Sequence, residues 1–200
     1  MIIAGAGGHG KEVFAVALRL GIPAAQILFY DQDPSKISKA KLISDLSELK
    51  PELKKDPRFV IGVGNPEYRE HLYKLFMGLG GQLFPISSGE NYSFHQDLMA
   101  DLMPLAFLGP DTKIGKAVLI NTRAQVHHEC EVGDFTEIGP GAMLLGGAKV
   151  GKKCRIGAGA VLLPGVELGD EVIVGAGAVV TKSFGDSVKI MGIPARENPA

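Results

Sequence analysis

The stretch VLINTRAQVHHECEVGDFTEIGPGAMLLGGAKV, residues 118–150, carries an aliphatic side chain at every sixth position. The register extends both ways without a miss, through Leu108, Ile114, Ile120, Val126, Val132, Ile138, Leu144, Val150, Ile156, Leu162, Leu168, Val174 and Val180. Four residues after each of the first twelve stands a small or β-branched side chain, from Thr112 and Val118 through Cys130 to Val172 and Ala178. Such a repeat describes short strands with two inward side chains each, joined by corners and stacked on one another. Glycine follows the aliphatic residue at 109, 115, 133, 139, 151, 157, 169 and 175, as a tight corner favours. Apart from Asn121, the exceptions after Gly109 are His127, Leu145, Leu163 and Thr181, which recur every eighteen residues. Three hexapeptides therefore make one coil of a triangular prism, and residues eighteen apart are stacked neighbours at roughly 4.8 Å, the ordinary strand spacing. A parallel β-helix of hexapeptide repeats is expected over 108–184.

That rule turns sequence into geometry. One corner should carry His128-Glu129, then Gly146-Gly147, Pro164-Gly165 and Lys182-Ser183 in successive coils. A histidine and a carboxylate beside small corner residues leave a trough along the axis, where an extended cofactor can lie. A purely structural solenoid is the competing reading.

The first half of the chain has a different pattern. An apolar strand at 1–4 runs into Gly5-Ala6-Gly7-Gly8-His9-Gly10, and a helix-like segment follows from Lys11 to Leu20. Strands are expected at 27–30, 59–63 and 83–86, with a helix from Glu67 to Leu79. This makes an α/β half-Rossmann domain over 1–88, one mononucleotide-binding half of a doubly wound sheet. The glycine turn fits GxGxxG, whose helix N-terminus attracts phosphate. Asp31, at a strand end beyond it, resembles the acid that bonds a ribose in NAD enzymes. An NAD-binding domain is thus a rival, set against the missing second half. Residues 89–107 read as a connector and 185–200 as a tail.

Composition narrows the partners. Lys+Arg 21 against Asp+Glu 22 gives a net charge of -1, which offers no broad surface for nucleic acid or anionic membrane. Cys130 and Cys154 are too few for a disulfide framework and fall on inward repeat positions, so buried thiols are expected. With no signal-peptide pattern and no long apolar run, a cytoplasmic protein without membrane insertion is expected. Only His127 and His128 lie in the repeat, adjacent in sequence, so a zinc site built from three converging histidines is not expected.

Four motifs carry a resemblance. They are Gly5-Ala6-Gly7-Gly8-His9-Gly10; Gly64-Asn65-Pro66-Glu67-Tyr68-Arg69; Ile120-Asn121-Thr122 with His128-Glu129-Cys130-Glu131-Val132-Gly133; and Gly192-Ile193-Pro194-Ala195-Arg196. In this order they resemble the hexapeptide-repeat acyltransferases of the sialic acid O-acetyltransferase / UDP-4-amino-sugar N-acetyltransferase (NeuD/PglD-type) group, over most of the chain. The resemblance implies a left-handed β-helix, a homotrimer with sites between prisms, and acetyl-CoA as co-substrate with no metal. It implies direct acetyl transfer to an amino group of a UDP-4-amino-sugar in bacterial glycan biosynthesis, with a GDP-linked amino sugar and a sialic acid hydroxyl as alternative acceptors. The chain departs from the family pattern at Pro85-Ile86-Ser87-Ser88, so an incomplete first coil is expected.

Residue roles follow from the resemblance together with chemistry. An attacking amine must lose a proton, and an imidazole can take it near neutral pH, which makes His128 the expected general base. Glu129 would orient it, and Asn121 would hold the acceptor. His127 is secondary. The resemblance puts acetyl-CoA against Glu137, Gly146, Ala158 and Ala176, with Lys182 and Arg196 as candidates for its phosphates. It puts the nucleotide sugar against Gly7, Gly8, His9, Asp31, Gln32, Gly64 and Asn65.

Overall fold

The computed structural model describes residues 1–36, 40–89, 92–93 and 98–198. The chain divides into two compact units, 1–86 and 87–200.

In the first unit five parallel strands run β3-β2-β1-β4-β5, where β1 is Ile2–Ala4, β2 Leu28–Tyr30, β3 Leu42–Ile43, β4 Arg58–Ile61 and β5 Gln82–Leu83. The helices α1, Gly8–Arg19, α2, Leu46–Lys55, and α3, Pro66–Gly78, connect them. Continuous apolar runs such as Ile2-Ile3-Ala4 and Phe59-Val60-Ile61 are fully buried, as in a parallel sheet covered on both faces. Strand order reverses between β1 and β4, and the glycines sit at that reversal. A Cβ on Gly10 would fall 2.1 Å from the carbonyl oxygen of Gly5, and one on Gly62 would fall 2.6 Å from the same atom. Only bare backbone lets α1 and β4 approach the turn this closely.

Two elements, β3 and α2, were not legible in the sequence. Helix α2 starts where Asp45 accepts from the Ser47 amide at 2.7 Å and buries Leu49 and Leu53, but it contains Pro51, which reads as a breaker. With β3 the sheet has five strands, one more than the four expected from the sequence.

The second unit is a parallel β-solenoid with three faces. On the first, Asp101–Leu102, Leu119–Ile120, Glu137–Ile138, Arg155–Ile156, Ile173–Val174 and Lys189–Met191 stack in parallel. The second stacks Tyr92–Ser93, Phe107–Leu108, Gln125–Val126, Met143–Leu144, Val161–Leu162 and Val179–Val180. The third stacks Lys113–Ile114, Glu131–Val132, Lys149–Val150 and Glu167–Leu168. All aliphatic repeat residues except the half-buried Ile114 are buried, and so are Cys130 and Cys154. The third residue of most corners has positive φ, supplied by Gly147, Gly165 and Gly177 but also by Arg123, Glu129 and Phe135.

Both ends differ from the expected bounds. Leu102, six residues before Leu108, is already paired, so part of the 89–107 stretch is solenoid; its residues 90, 91 and 94–97 lie outside the described ones. The tail adds Lys189–Met191 and an antiparallel strand at Arg196–Glu197. Its pattern was hidden because the last coil contracts: Asp186 accepts from the Asp170 amide and Ser183 from the Glu167 amide, each sixteen residues apart rather than eighteen. No helix among the described residues is long and apolar enough to cross a membrane.

Candidate active site and nucleotide cavity

The corner between the second and third faces is built as the eighteen-residue rule requires. The Gly147 amide donates to the His128 carbonyl at 2.9 Å, and the Gly165 amide to the Gly146 carbonyl at 3.1 Å. His128 is exposed, and its ring hangs over the next coil: a Cβ on Gly146 would lie 2.4 Å from Cε1 and 2.5 Å from Nε2. On the other side the residue eighteen before His128 is Pro110, and Gly109 beside it lies close, since a Cβ there would meet the His128 backbone nitrogen at 2.8 Å. The Glu129 Oε2 stands 3.0 Å from His128 Nδ1. A carboxylate there holds the proton on Nδ1 and leaves Nε2 as the acceptor.

His127 turns the other way. Its ring centroid lies 5.6 Å from that of Phe107, and its Nε2 is 3.3 Å from Gln125 Oε1, both residues of the second face.

The remaining expected residues lie elsewhere on the chain. Asn121 opens the corner between the first and second faces, is buried, and accepts from the Thr122 amide at 2.8 Å. Ala158 and Ala176 stack on that same corner, where the Gly177 amide donates to Ala158 at 2.9 Å. Glu137 is buried on the first face and accepts from Arg155 Nε at 3.1 Å, an interaction of stacked neighbours that the sequence reading missed. Within one chain, therefore, His128, Glu129 and Gly146 come together, while Asn121, Glu137, Ala158 and Ala176 are separated from them by the second face.

The corners also differ in their free donors. Where the third face meets the first, the amides of Lys116, Lys152 and Asp170 donate to Asp134, Asp170 and Asp186 at 3.0, 2.7 and 2.8 Å. The equivalent amides of Gly146, Ala158 and Ala176 meet no protein acceptor among the described residues. Two corners thus present donors to a ligand, while on the third most of the equivalent amides are taken by aspartates.

In the first unit a cavity of about 440 Å³ opens beside the strand ends, lined by Gly5, Tyr30, Asp31, Gln32, Val63, Glu67, Tyr68, His71 and Leu72. Asp31 is fixed by two amides: Ala6 donates to Oδ2 at 2.8 Å and Asp33 to Oδ1 at 3.1 Å. Of the expected nucleotide contacts only Asp31 and Gln32 belong to this wall. Gly7 caps α1 and Gly8 and His9 form its first turn, with His9 Nδ1 3.1 Å from Glu12 Oε2. Gly64 precedes Asn65, whose Oδ1 caps α3 by accepting from Glu67 and Tyr68 at 3.0 and 3.2 Å. The wall residues missed in the sequence include Tyr68, His71 and Leu72, spaced i, i+3, i+4 along one side of α3. That spacing was the available signal.

Residues 1–76 match the family described as PglD N-terminal domain, and residues 111–146 and 147–182 each match the bacterial transferase hexapeptide, six repeats. Fold and corner together define a hexapeptide-repeat acyltransferase. More particularly, the two matches set a PglD N-terminal domain before hexapeptide repeats, the arrangement of the NeuD/PglD-type acetyltransferases. The chain is 27% identical to a perosamine N-acetyltransferase from Caulobacter crescentus, solved as a histidine variant with CoA and GDP-perosamine, with TM-score 0.91 over 100% of this chain and 96% of that one. It is 28% identical to the acetyltransferase domain of PglB from Neisseria gonorrhoeae, solved with acetyl coenzyme A, with TM-score 0.88 over 98% of each chain. It is also 28% identical to WeeI from Acinetobacter baumannii, with TM-score 0.80 over 99% of this chain and 100% of that one.

Proposed function

We propose that this chain transfers the acetyl group of acetyl-CoA to an amine on a nucleotide-linked sugar. The observation that carries the reading is the His128-Glu129 pair held over Gly146, with an acceptor nitrogen bare on one side and an unused backbone donor beside it. The sugar amine attacks the thioester carbonyl carbon while Nε2 of His128 takes its proton, a contribution of roughly 10²–10⁴-fold. The Gly146 amide donates to the oxyanion that forms, in the manner of an oxyanion hole. The C–S bond then breaks, and the CoA thiolate recovers the proton from the imidazolium. In this reading Ala158 and Ala176 give their amides to the pantetheine arm, Glu137 borders the cofactor, and Asn121 holds the sugar. Asp31 and Gln32 hold the nucleotide, with Gly7, Gly8 and His9 near its phosphates, while Gly64 and Asn65 shape the cavity's helix.

These residues occupy two corners of one prism, which supports a homotrimer whose sites combine a corner from each of two chains. The outward side chains of the second face support it as well: Phe107, Met143, Val161 and Val179 form a column broken only by Gln125. Two buried reduced thiols and the co-substrates themselves fit the cytoplasm.

The test is incubation with acetyl-CoA and a panel of nucleotide-linked amino sugars, following CoA release and the mass of the sugar product. A gain of one acetyl group on nitrogen is expected. Acetylation of a sugar hydroxyl alone, or of nothing, would overturn the reading. Sedimentation should give three chains per particle, and a fully active monomer would defeat the shared site.

A further inference from the structure

The cavity in the first unit has a chemistry that chooses its ligand. Its wall contains the carboxylates of Asp31 and Glu67, the imidazole of His71 and the phenols of Tyr30 and Tyr68, and among the described residues no lysine or arginine. A diphosphate would face two carboxylates there without a compensating cation, so the phosphates belong outside the cavity. What enters must be neutral and rich in N–H or O–H donors. A volume of about 440 Å³ suits a nucleoside and falls within the usual range for small-ligand sites.

Two side chains of the wall are unspent. Tyr68 is 64% exposed, yet it borders a cavity, a position in which an aromatic ring gains by covering a planar ligand. The Glu67 carboxylate has no hydrogen-bond or ion-pair partner among the described residues. Asp31, by contrast, is held rigid by two amides at the end of β2, with a lone pair left on each oxygen. Among the common bases only guanine presents two adjacent N–H donors, N1 and N2, on a single edge. That edge matches the two oxygens of a carboxylate, whereas uracil offers one N–H between two carbonyl oxygens that a carboxylate repels.

We infer that this cavity takes the guanine nucleoside of a GDP-linked sugar: Tyr68 stacks on the base, Glu67 reads its N1 and N2 edge, and Asp31 takes a ribose hydroxyl. The inference rests on the nucleotide-sugar reading and chooses guanosine over the uridine of a UDP-4-amino-sugar, two acceptors that the sequence alone left open.

Calorimetric titration of the full chain with GDP, UDP and ADP tests it. GDP should bind roughly ten- to a hundredfold more tightly than UDP or ADP, the usual discrimination of one bidentate pair. Glu67→Gln should close most of the gap by weakening GDP alone. Tyr68→Ala should weaken all three nucleotides, and Tyr68→Phe should not. Both residues are exposed, and unchanged melting curves will establish that the variants are folded. UDP binding as tightly as GDP overturns the base assignment while leaving the nucleotide-sugar reading intact. Failure of every nucleotide to bind overturns both.

Discussion

The imidazole of His128 lies so close above Gly146, one coil further on, that a single methyl group at that glycine would meet Nε2 at 2.5 Å. The glycine is therefore a condition for the histidine's position, and not merely a corner residue. Its φ lies outside the left-handed region, unlike that of Gly147 beside it, so alanine is acceptable to the backbone there. The Gly146→Ala protein should fold normally because the exposed ring can swing aside. Turnover should fall by at least about tenfold through the displaced base. Equal kcat for variant and parent would mean that the ring position has no part in the reaction.

Replacing His128 by alanine should lower kcat by roughly 10²–10⁴-fold while leaving acetyl-CoA affinity nearly unchanged, the pattern of an interaction made chiefly in the transition state. His127→Ala should be milder, since that ring packs on Phe107 and faces away from Glu129. Steady-state kinetics of the two variants decides the register. If His127→Ala abolishes turnover and His128→Ala does not, the acceptor approaches along the second face instead of the corner.

Glu129 separates function from stability in another way. Its φ of 60° puts an L side chain where the next two coils of the same corner have glycine, at Gly147 and Gly165. Glu129→Gly removes that backbone strain, so the thermal midpoint should stay level or rise by the equivalent of ~1 kcal/mol. Activity should drop because His128 loses its orienting carboxylate. A variant that loses stability and keeps activity would mark Glu129 as a structural residue.

What the sequence revealed depended on repetition. The solenoid was legible to the residue wherever the hexapeptide register ran, and so was the stacking of His128 on Gly146. It was missed at both ends, at the sixteen-residue last coil, where the register slipped, and before Leu108, although Leu102 keeps the six-residue spacing. The cavity in the first unit was half legible: Asp31 announces itself at a strand end, but Tyr68 and His71 look like ordinary exposed helix positions. Asn65 was read as a ligand contact because a motif contained it, and its Oδ1 also caps α3.

That cap can be tested directly. Asn65→Ala should destabilise the protein by about 1 kcal/mol, the usual worth of an N-cap. Asn65→Asp should restore stability, since aspartate caps equally well. Nucleotide affinity should follow the same order, being lost only as far as α3 loosens. If Asn65→Asp keeps the melting temperature and loses the nucleotide, the amide nitrogen contacts the ligand after all.

The two cysteines supply the last test. Cys130 and Cys154 are buried inside the solenoid, where their sulfurs approach the carbonyls of Leu145 and Gly169 at 3.3 and 3.1 Å. Burial pushes both thiols above their ordinary value, that of Cys154 to about 11. Because the thiolate is the reactive form, native protein at neutral pH should react with thiol reagents at neither position, and denaturant should release two equivalents. The sign for stability follows from the same shift. The neutral thiol is favoured in the folded state, so this contribution is fully present below the ordinary thiol value, and it is lost as pH rises towards 11. Denaturation melts between neutral and strongly alkaline pH should therefore decline earlier for the native protein than for a Cys154→Ala variant, whose inward position then matches the alanine of neighbouring repeats. Rapid labelling of Cys154 in the native state at neutral pH would show that the coil interior opens, and it would remove the basis for this pH dependence.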